Sequence, residues 1–217
     1  SIVGAVSAGW FSLKYGRRKT LFLAAVLFAI SAVGSALAPT FTFYTVLRIV
    51  GGVAVGLAAV VSPMYMSEVA PKDFRGRAVS MFQQSVVVGQ TVVFYVNFVI
   101  AKGMTEMWLQ DLGWRWMLGS EIIPAIIFGA LLFTIPESPR WLVLKGQKDK
   151  AKQVLTRISD AEHAQRVINE IEDSLMASRV VKKSQVSLKS PLMLSIVAVG
   201  TFVAAAQQFT GINVIMY

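Results

Sequence analysis

Several amide side chains stand where the surrounding sequence is apolar. Gln83 and Gln90 lie in one such run, and Gln207, Gln208 and Asn213 in another. An amide donates and accepts hydrogen bonds without carrying net charge. It can therefore satisfy the hydroxyls of a neutral solute without the cost of burying an ion in a membrane. Gln83 and Gln90 are seven apart, two helical turns, and share a face. Gln207 and Asn213 are six apart and point about 120° apart on an ideal helix, but Gly211 between them offers a break that lets both address one cavity. Gln84 and Asn97 read instead as amides that glue helices together. Two charges lie deep in the apolar runs, Arg48 and Glu121. Packing does not need a guanidinium, so Arg48 suggests function; the simpler reading is that the two pair with each other.

The elements that position these groups follow from composition. The chain has 217 residues, 55% hydrophobic and 15% charged, with mean hydropathy +0.60. Soluble domains carry about 25% charged residues. Apolar runs of roughly twenty residues recur, the length a bilayer core of about 30 Å demands. The predicted class is an all-α integral membrane protein with about six transmembrane segments: 1–13, 20–38, 41–67, 78–101, 114–136 and the start of another from 191. Residues 102–113 read as a loop. Gly51, Gly52 and Gly56 let a neighbouring backbone come close. The chain opens at Ser1 and stops at Tyr217, each within an apolar segment, and no signal peptide is visible. It reads as an internal fragment of a longer protein.

Cysteine is absent, which excludes disulfides and thiolate metal sites. There is no Gly-rich phosphate loop, nucleophile–base pair or metal-ligand cluster, so neither an enzyme nor a cofactor is expected. His163, the one histidine, sits among polar residues as a solvated surface group.

The net charge of +9 does not point to nucleic acid, because the basic residues cluster between the apolar runs. Segments 14–19, 68–77 and 137–190 hold 18 Lys and Arg, whereas 38–41 and 102–113 hold 1. That asymmetry places the first set in the cytoplasm. Within 137–190, Ala151, Val154, Leu155 and Ile158 fall at helical spacing, as do Ala164, Val167, Ile168, Ile171 and Leu175. Both stretches predict amphipathic helices that lie on the membrane or cap the cytoplasmic end of the bundle. Gly146 and Lys182 to Ser184 read as linker.

Four signatures now carry a resemblance. Gly9 to Lys19 (GWFSLKYGRRK) resembles the loop between the second and third helices of the major facilitator superfamily. Arg48, Gly52 and Gly56, followed by Pro63, Tyr65, Glu68, Pro71, Arg75 and Gly76, look like the sugar porter family within it. Pro136 to Leu142 (PESPRWL) is similar to that family's signature after the sixth helix, and Gln207 to Asn213 (QQFTGIN) to its seventh-helix sugar motif. The superfamily loop commonly has an aspartate where Leu13 stands here, so any lock made by that side chain is weaker or absent.

The resemblance implies the major facilitator fold, with this chain running from the second helix to the start of the seventh. Residues 1–136 would be an incomplete N-terminal transmembrane half, 137–190 a cytoplasmic helical linker, and 191–217 the start of the C-terminal half. It implies a carrier that moves a pentose or hexose (xylose- or glucose-like) by alternating access, with a proton as coupling ion, in a bacterial inner membrane and as a monomer. An uncoupled facilitator and a transporter-like sugar sensor are the alternatives. Gln83, Gln90, Gln207, Gln208 and Asn213 would bind the sugar. Arg48 and Glu121 would serve proton coupling, Arg48 beside a first-helix carboxylate preceding Ser1. Gly16, Arg17, Glu68, Arg75, Glu137 and Arg140 would form a cytoplasmic latch, and Tyr217 an extracellular gate.

Overall fold

The computed structural model describes residues 1–71, 74–157, 161–183 and 191–209. These are helical, with no strand among them. The chain divides within one helix into two compact units, Ser1–Asn169 and Glu170–Tyr217.

In the first unit, α1 (Ile2–Tyr15) and α2 (Arg17–Ala36) meet at Gly16. Gly16 has φ +100°, a left-handed conformation that costs glycine nothing and breaks the helix cleanly. Helix α3 (Phe41–Val69) starts at Thr40, whose hydroxyl accepts from the Phe43 amide, and carries Pro63 inside it. Helix α4 (Arg75–Ala101) follows. The next span, α5 (Glu106–Thr134), is continuous but irregular, with a π-turn at Leu109–Gly113 and a turn at Ser120 and Glu121. It starts earlier than expected: 106–113 is helical, not loop. The Thr105 side chain caps the Trp108 amide, and Glu106 places an acid in the first turn, where the helix dipole favours it.

Helices α2, α3, α4 and α5 are, among the described residues, long and apolar enough to cross a membrane. Their packing is that of a membrane bundle. The core is built around small side chains, with Ala8, Ala24 and Ala25 joined by Leu21, Leu57, Val61 and Leu132. The exterior is Val-, Ile- and Phe-rich. Lipid is as apolar as leucine, so close contact rather than hydrophobic burial selects the interface residues. The α1–α3 crossing shows this directly. A Cβ on Gly4 would lie 2.1 Å from the Val53 carbonyl oxygen, and one on Gly56 2.1 Å from that of Ser1. On α2, the Ser31 hydroxyl donates to the Leu47 carbonyl at 2.9 Å beneath Gly51. Helix α4 packs against α3 and α5 yet buries no residue.

After α5 the chain turns into α6 (Pro139–Leu144), with Ser138 as N-cap and proline at its first position, a favourable pairing. Gly146, expected in a linker, is instead the left-handed cap of α6 (φ +77°). Its amide donates to Val143 and that of Gln147 to Leu142, the two bonds of a Schellman motif. Helix α7 (Lys148–Thr156) packs on α6 and buries Ala151 and Leu155. The next helix, α8 (Ala161–Lys183), buries Ala164 and Ile168. Of the two arrangements open for these amphipathic stretches, the apolar seam of α7 is covered by protein. Lys182 and Lys183 belong to α8 rather than to a linker; Ser184 and Ile158 lie outside the described residues.

The second unit contains the end of α8 and α9 (Pro191–Phe209), an apolar helix with Leu194, Ile196, Val197, Val199 and Phe202 exposed.

Candidate functional site

The predicted cytoplasmic latch residues divide into two groups. Arg17 and Glu68 form a bidentate pair: Nε to Oε2 is 2.8 Å and Nη2 to Oε1 2.7 Å, with both side chains less than one-tenth exposed. The remaining Arg17 nitrogen, Nη1, donates to the Ser12 carbonyl at 3.2 Å. Such fork-to-fork pairing is short and directional because both groups are planar and charged.

Glu137 does something different. Its Oε1 accepts three backbone amides: Arg17 at 2.9 Å, Arg18 at 3.1 Å and Ser138 at 2.9 Å. Two of these are the free N–H groups that open α2, so a carboxylate from 120 residues along the chain caps that helix and compensates its dipole. Gly16 permits the approach: a Cβ there would sit 2.3 Å from Glu137 Oε2. The Ser138 hydroxyl donates to Glu68 Oε2 at 2.5 Å and accepts from the Trp141 amide at 3.3 Å, joining the pair to α6.

Three further residues complete the cluster, in roles the sequence did not suggest. Arg18 Nε donates to the Leu132 carbonyl at 2.8 Å and Nη2 to Phe133 at 3.2 Å, closing the C-terminal end of α5 with a cation. The Tyr65 hydroxyl donates to the Pro136 carbonyl at 2.9 Å. The Trp141 indole donates to the Leu13 carbonyl at 3.0 Å, so Leu13 contributes its backbone where the superfamily loop commonly has an acid. Of the contacts that join one helix end to another, none had a local signal, since all span more than fifty residues; the Ser138–Pro139 cap had one. Arg75 and Arg140 are exposed and join no ion pair among the described residues.

Arg48 and Glu121 do meet. Nη1 lies 3.4 and 3.5 Å from the two carboxylate oxygens, and Nε donates to the Tyr44 hydroxyl at 3.2 Å. This is looser than the 2.7–2.9 Å of a tight charge-assisted bond. The side chains are 35% and 44% exposed, so the pair faces open space rather than a sealed core.

The amides are less gathered. Gln83 and Gln84 are exposed on α4, and Gln90 is half-buried and engaged. Asn97 has a buried Oδ1 with no hydrogen-bond partner among the described residues. Gln207 and Gln208 fall on α9, but their side chains lie outside what is described, as do Asn213 and Tyr217 altogether. His163 is likewise helical with its side chain not described. An open cavity of about 310 Å³ lies elsewhere, at the opposite end of the bundle from the Arg17 cluster, lined by the 38–41 turn, Tyr44, Trp114 and Arg115. Arg115 closes the end of α2 there by donating to the Ala36 carbonyl at 3.0 Å.

What this arrangement can do is join helix ends. The Arg17–Glu68–Glu137–Ser138 cluster ties α1, α2, α3, α5 and α6 together at one end of the bundle through charged groups.

The family model described as "Sugar (and other) transporter" matches residues 1–217. The chain is 38% identical to the D-xylose-proton symporter of Escherichia coli (strain K12) over 100% of its own length and 47% of that protein. It is 36% identical to the arabinose-proton symporter of Bacillus subtilis (strain 168), covering 46% of it. Among solved structures, the partially occluded inward open conformation of the xylose transporter XylE from E. coli superposes with a TM-score of 0.88 at 38% identity, over 100% of this chain and 51% of that one. The chain spans about half the length of the curated relatives it matches. By family match, identity and fold together, this chain belongs to the sugar porters of the major facilitator superfamily.

Proposed function

We propose that the chain is part of a carrier that moves a pentose or hexose across the cell membrane by alternating access, coupled to a proton. The observation that carries this is similarity along the entire chain to proteins named as proton symporters for xylose, arabinose and galactose. In this reading, residues 1–136 belong to an N-terminal transmembrane half, 137–190 to a cytoplasmic linker and 191–217 to the start of a second half. The protein is a carrier and not an enzyme, and it works as a monomer. Gly16, Arg17, Glu68 and Glu137 form one side of a cytoplasmic latch. Arg75 and Arg140, exposed here, are the cations available to pair when the halves close. Tyr217 belongs to the outer gate.

The sugar is held by Gln83, Gln207, Gln208 and Asn213, with Gln90 limiting its size. Each lost amide leaves a sugar hydroxyl poorly satisfied, at about 0.5–1.5 kcal/mol, where about 1.4 kcal/mol is tenfold in affinity. Asn213→Ala and Gln208→Ala in the intact carrier should therefore weaken sugar binding several-fold to about tenfold, with Gln84→Ala far milder. Isothermal titration of purified variants tests this, and wild-type affinity in Asn213→Ala would return these amides to helix packing.

Coupling is assigned to Arg48 and Glu121. A nearby cation favours the ionised form of the first-helix carboxylate that the family resemblance puts beside Arg48, and Arg48→Leu removes that bias. Proton-driven accumulation should then fall well below passive sugar exchange. Equal loss of both in vesicle assays would make Arg48 structural. A facilitator without coupling is the second reading, favoured by 39% identity to a protein named only as the glucose transport protein of Synechocystis.

A further inference from the structure

Basic residues crowd the segment after α6. Lys145, Lys148, Lys150, Lys152 and Arg157 fall within thirteen residues that contain one acid, Asp149. An amphipathic helix with this composition ordinarily lays its apolar seam in the lipid. Here the seam is already used: Ala151 is fully buried and Leu155 8% exposed. What α7 presents outward is charge. Lys150 and Arg157 are two turns apart and share one flank, and Lys152 projects from the other; all three are exposed. None forms an ion pair among the described residues.

Their position is set rigidly. Trp141 is bonded to Leu13, Tyr65 to Pro136 and Ser138 to Glu68, which pins α6 to the ends of α1, α3 and α5. The Schellman turn at Gly146 then fixes α7 against α6. Helix α6 has six residues, a rise of about 9 Å. That is comparable to the Debye length of about 8–10 Å at physiological salt. The charges on α7 are therefore held where the potential of an anionic leaflet is still felt, and each Lys or Arg there contributes attraction.

We propose that Lys150, Lys152 and Arg157 form a binding surface for the headgroups of anionic phospholipids in the cytoplasmic leaflet. The charges are spread over both flanks of one short helix, which suits mobile headgroups better than a shaped acidic protein. The contact would brace the α6–α7 unit, and with it Ser138 and Glu137, against the membrane. It rests on the inward orientation proposed for this end of the bundle, but not on sugar movement.

The test is native mass spectrometry of the intact protein purified with phosphatidylglycerol or phosphatidylcholine, counting lipids retained. Phosphatidylglycerol should be retained preferentially, and retention should fall as salt rises from about 50 to 500 mM. K150E/R157E should lower it about tenfold or more, while Lys102→Gln, on the opposite membrane face, leaves it unchanged. Should the double reversal not fold, K150Q/R157Q and the salt series on the unmutated protein decide. Equal retention of the two lipids, no salt dependence, or wild-type retention in a folded K150E/R157E protein overturns the proposal. So does a variant that loses only an acidic protein partner. None of these readouts involves transport, so their failure leaves the carrier reading standing.

Discussion

Gly56→Val should be among the most damaging single substitutions in the bundle, lowering stability by about 3 kcal/mol or more. The β-carbon alone would fall 2.1 Å from the Ser1 carbonyl oxygen and 2.6 Å from the Ala5 nitrogen, before the two methyl groups are counted. Overpacking is often relieved by rotating a neighbouring side chain. Here the obstacle is backbone, so relief requires moving α1 away from α3. That movement would also pull Val53 from Gly4, where a β-carbon would meet the Val53 carbonyl oxygen at the same 2.1 Å. Gly4→Val should therefore match Gly56→Val, and the double variant should cost less than the sum, since the helices part only once. Gly9, with nothing within 4 Å of an added Cβ, provides the contrast. Gly9→Ala should be neutral or stabilising by about 0.5–1 kcal/mol through helix propensity. Thermal unfolding of the intact protein in detergent measures all four; a Gly56→Val protein that melts with the wild type would mean that the α1–α3 contact is not tight.

Arg17→Ala should cost about 3–5 kcal/mol, the range for removing one partner of a buried ion pair. The loss is larger than the pair's own contribution because Glu68, 9% exposed, keeps its charge with, among the described residues, only the Ser138 hydroxyl to answer it. Arg17→Lys should not rescue it. An ammonium cannot bond both carboxylate oxygens in the fork geometry while also reaching the Ser12 carbonyl. Replacing Arg17 and Glu68 together, as Arg17→Met with Glu68→Gln, should restore much of the stability, because no uncompensated charge then remains. A double-mutant cycle on unfolding in detergent reads this directly. Arg17→Ala within about 1 kcal/mol of wild type would show a pair already hydrated, and would remove the cluster as a latch element.

How much of this was legible beforehand depended on the range of the interaction. Four of the predicted membrane spans, 20–38, 41–67, 78–101 and 114–136, were plain, since length and apolarity are local and the bilayer imposes both. So was the break between 1–13 and 20–38, where Gly16 stands; the helix start at Ser138–Pro139 was not drawn, although its cap is written in adjacent residues. The one span drawn short, α5, was misjudged where Thr105 caps a turn carrying Glu106 and Asp111, charges that read as loop until the cap is seen.

The charged residues at the Arg17 end of the bundle could be named from the sequence as a set, but not sorted. Their types and order were visible; their partners were not. Glu137 was an acid near a helix end, and only the fold revealed that the helix is α2, 120 residues earlier. Arg18 resembled a topology charge until the tertiary structure laid the carbonyls of Leu132 and Phe133 beside it. The same structure left Arg75 and Arg140 outside the cluster and turned the apolar seam of α7 onto protein instead of lipid. Composition and short-range pattern determine which segments enter the membrane and where they stop, because solvent and backbone geometry act on neighbours. Which charges meet is decided only when helices pack, since a carboxylate selects among distant donors by distance and burial that no local spacing contains.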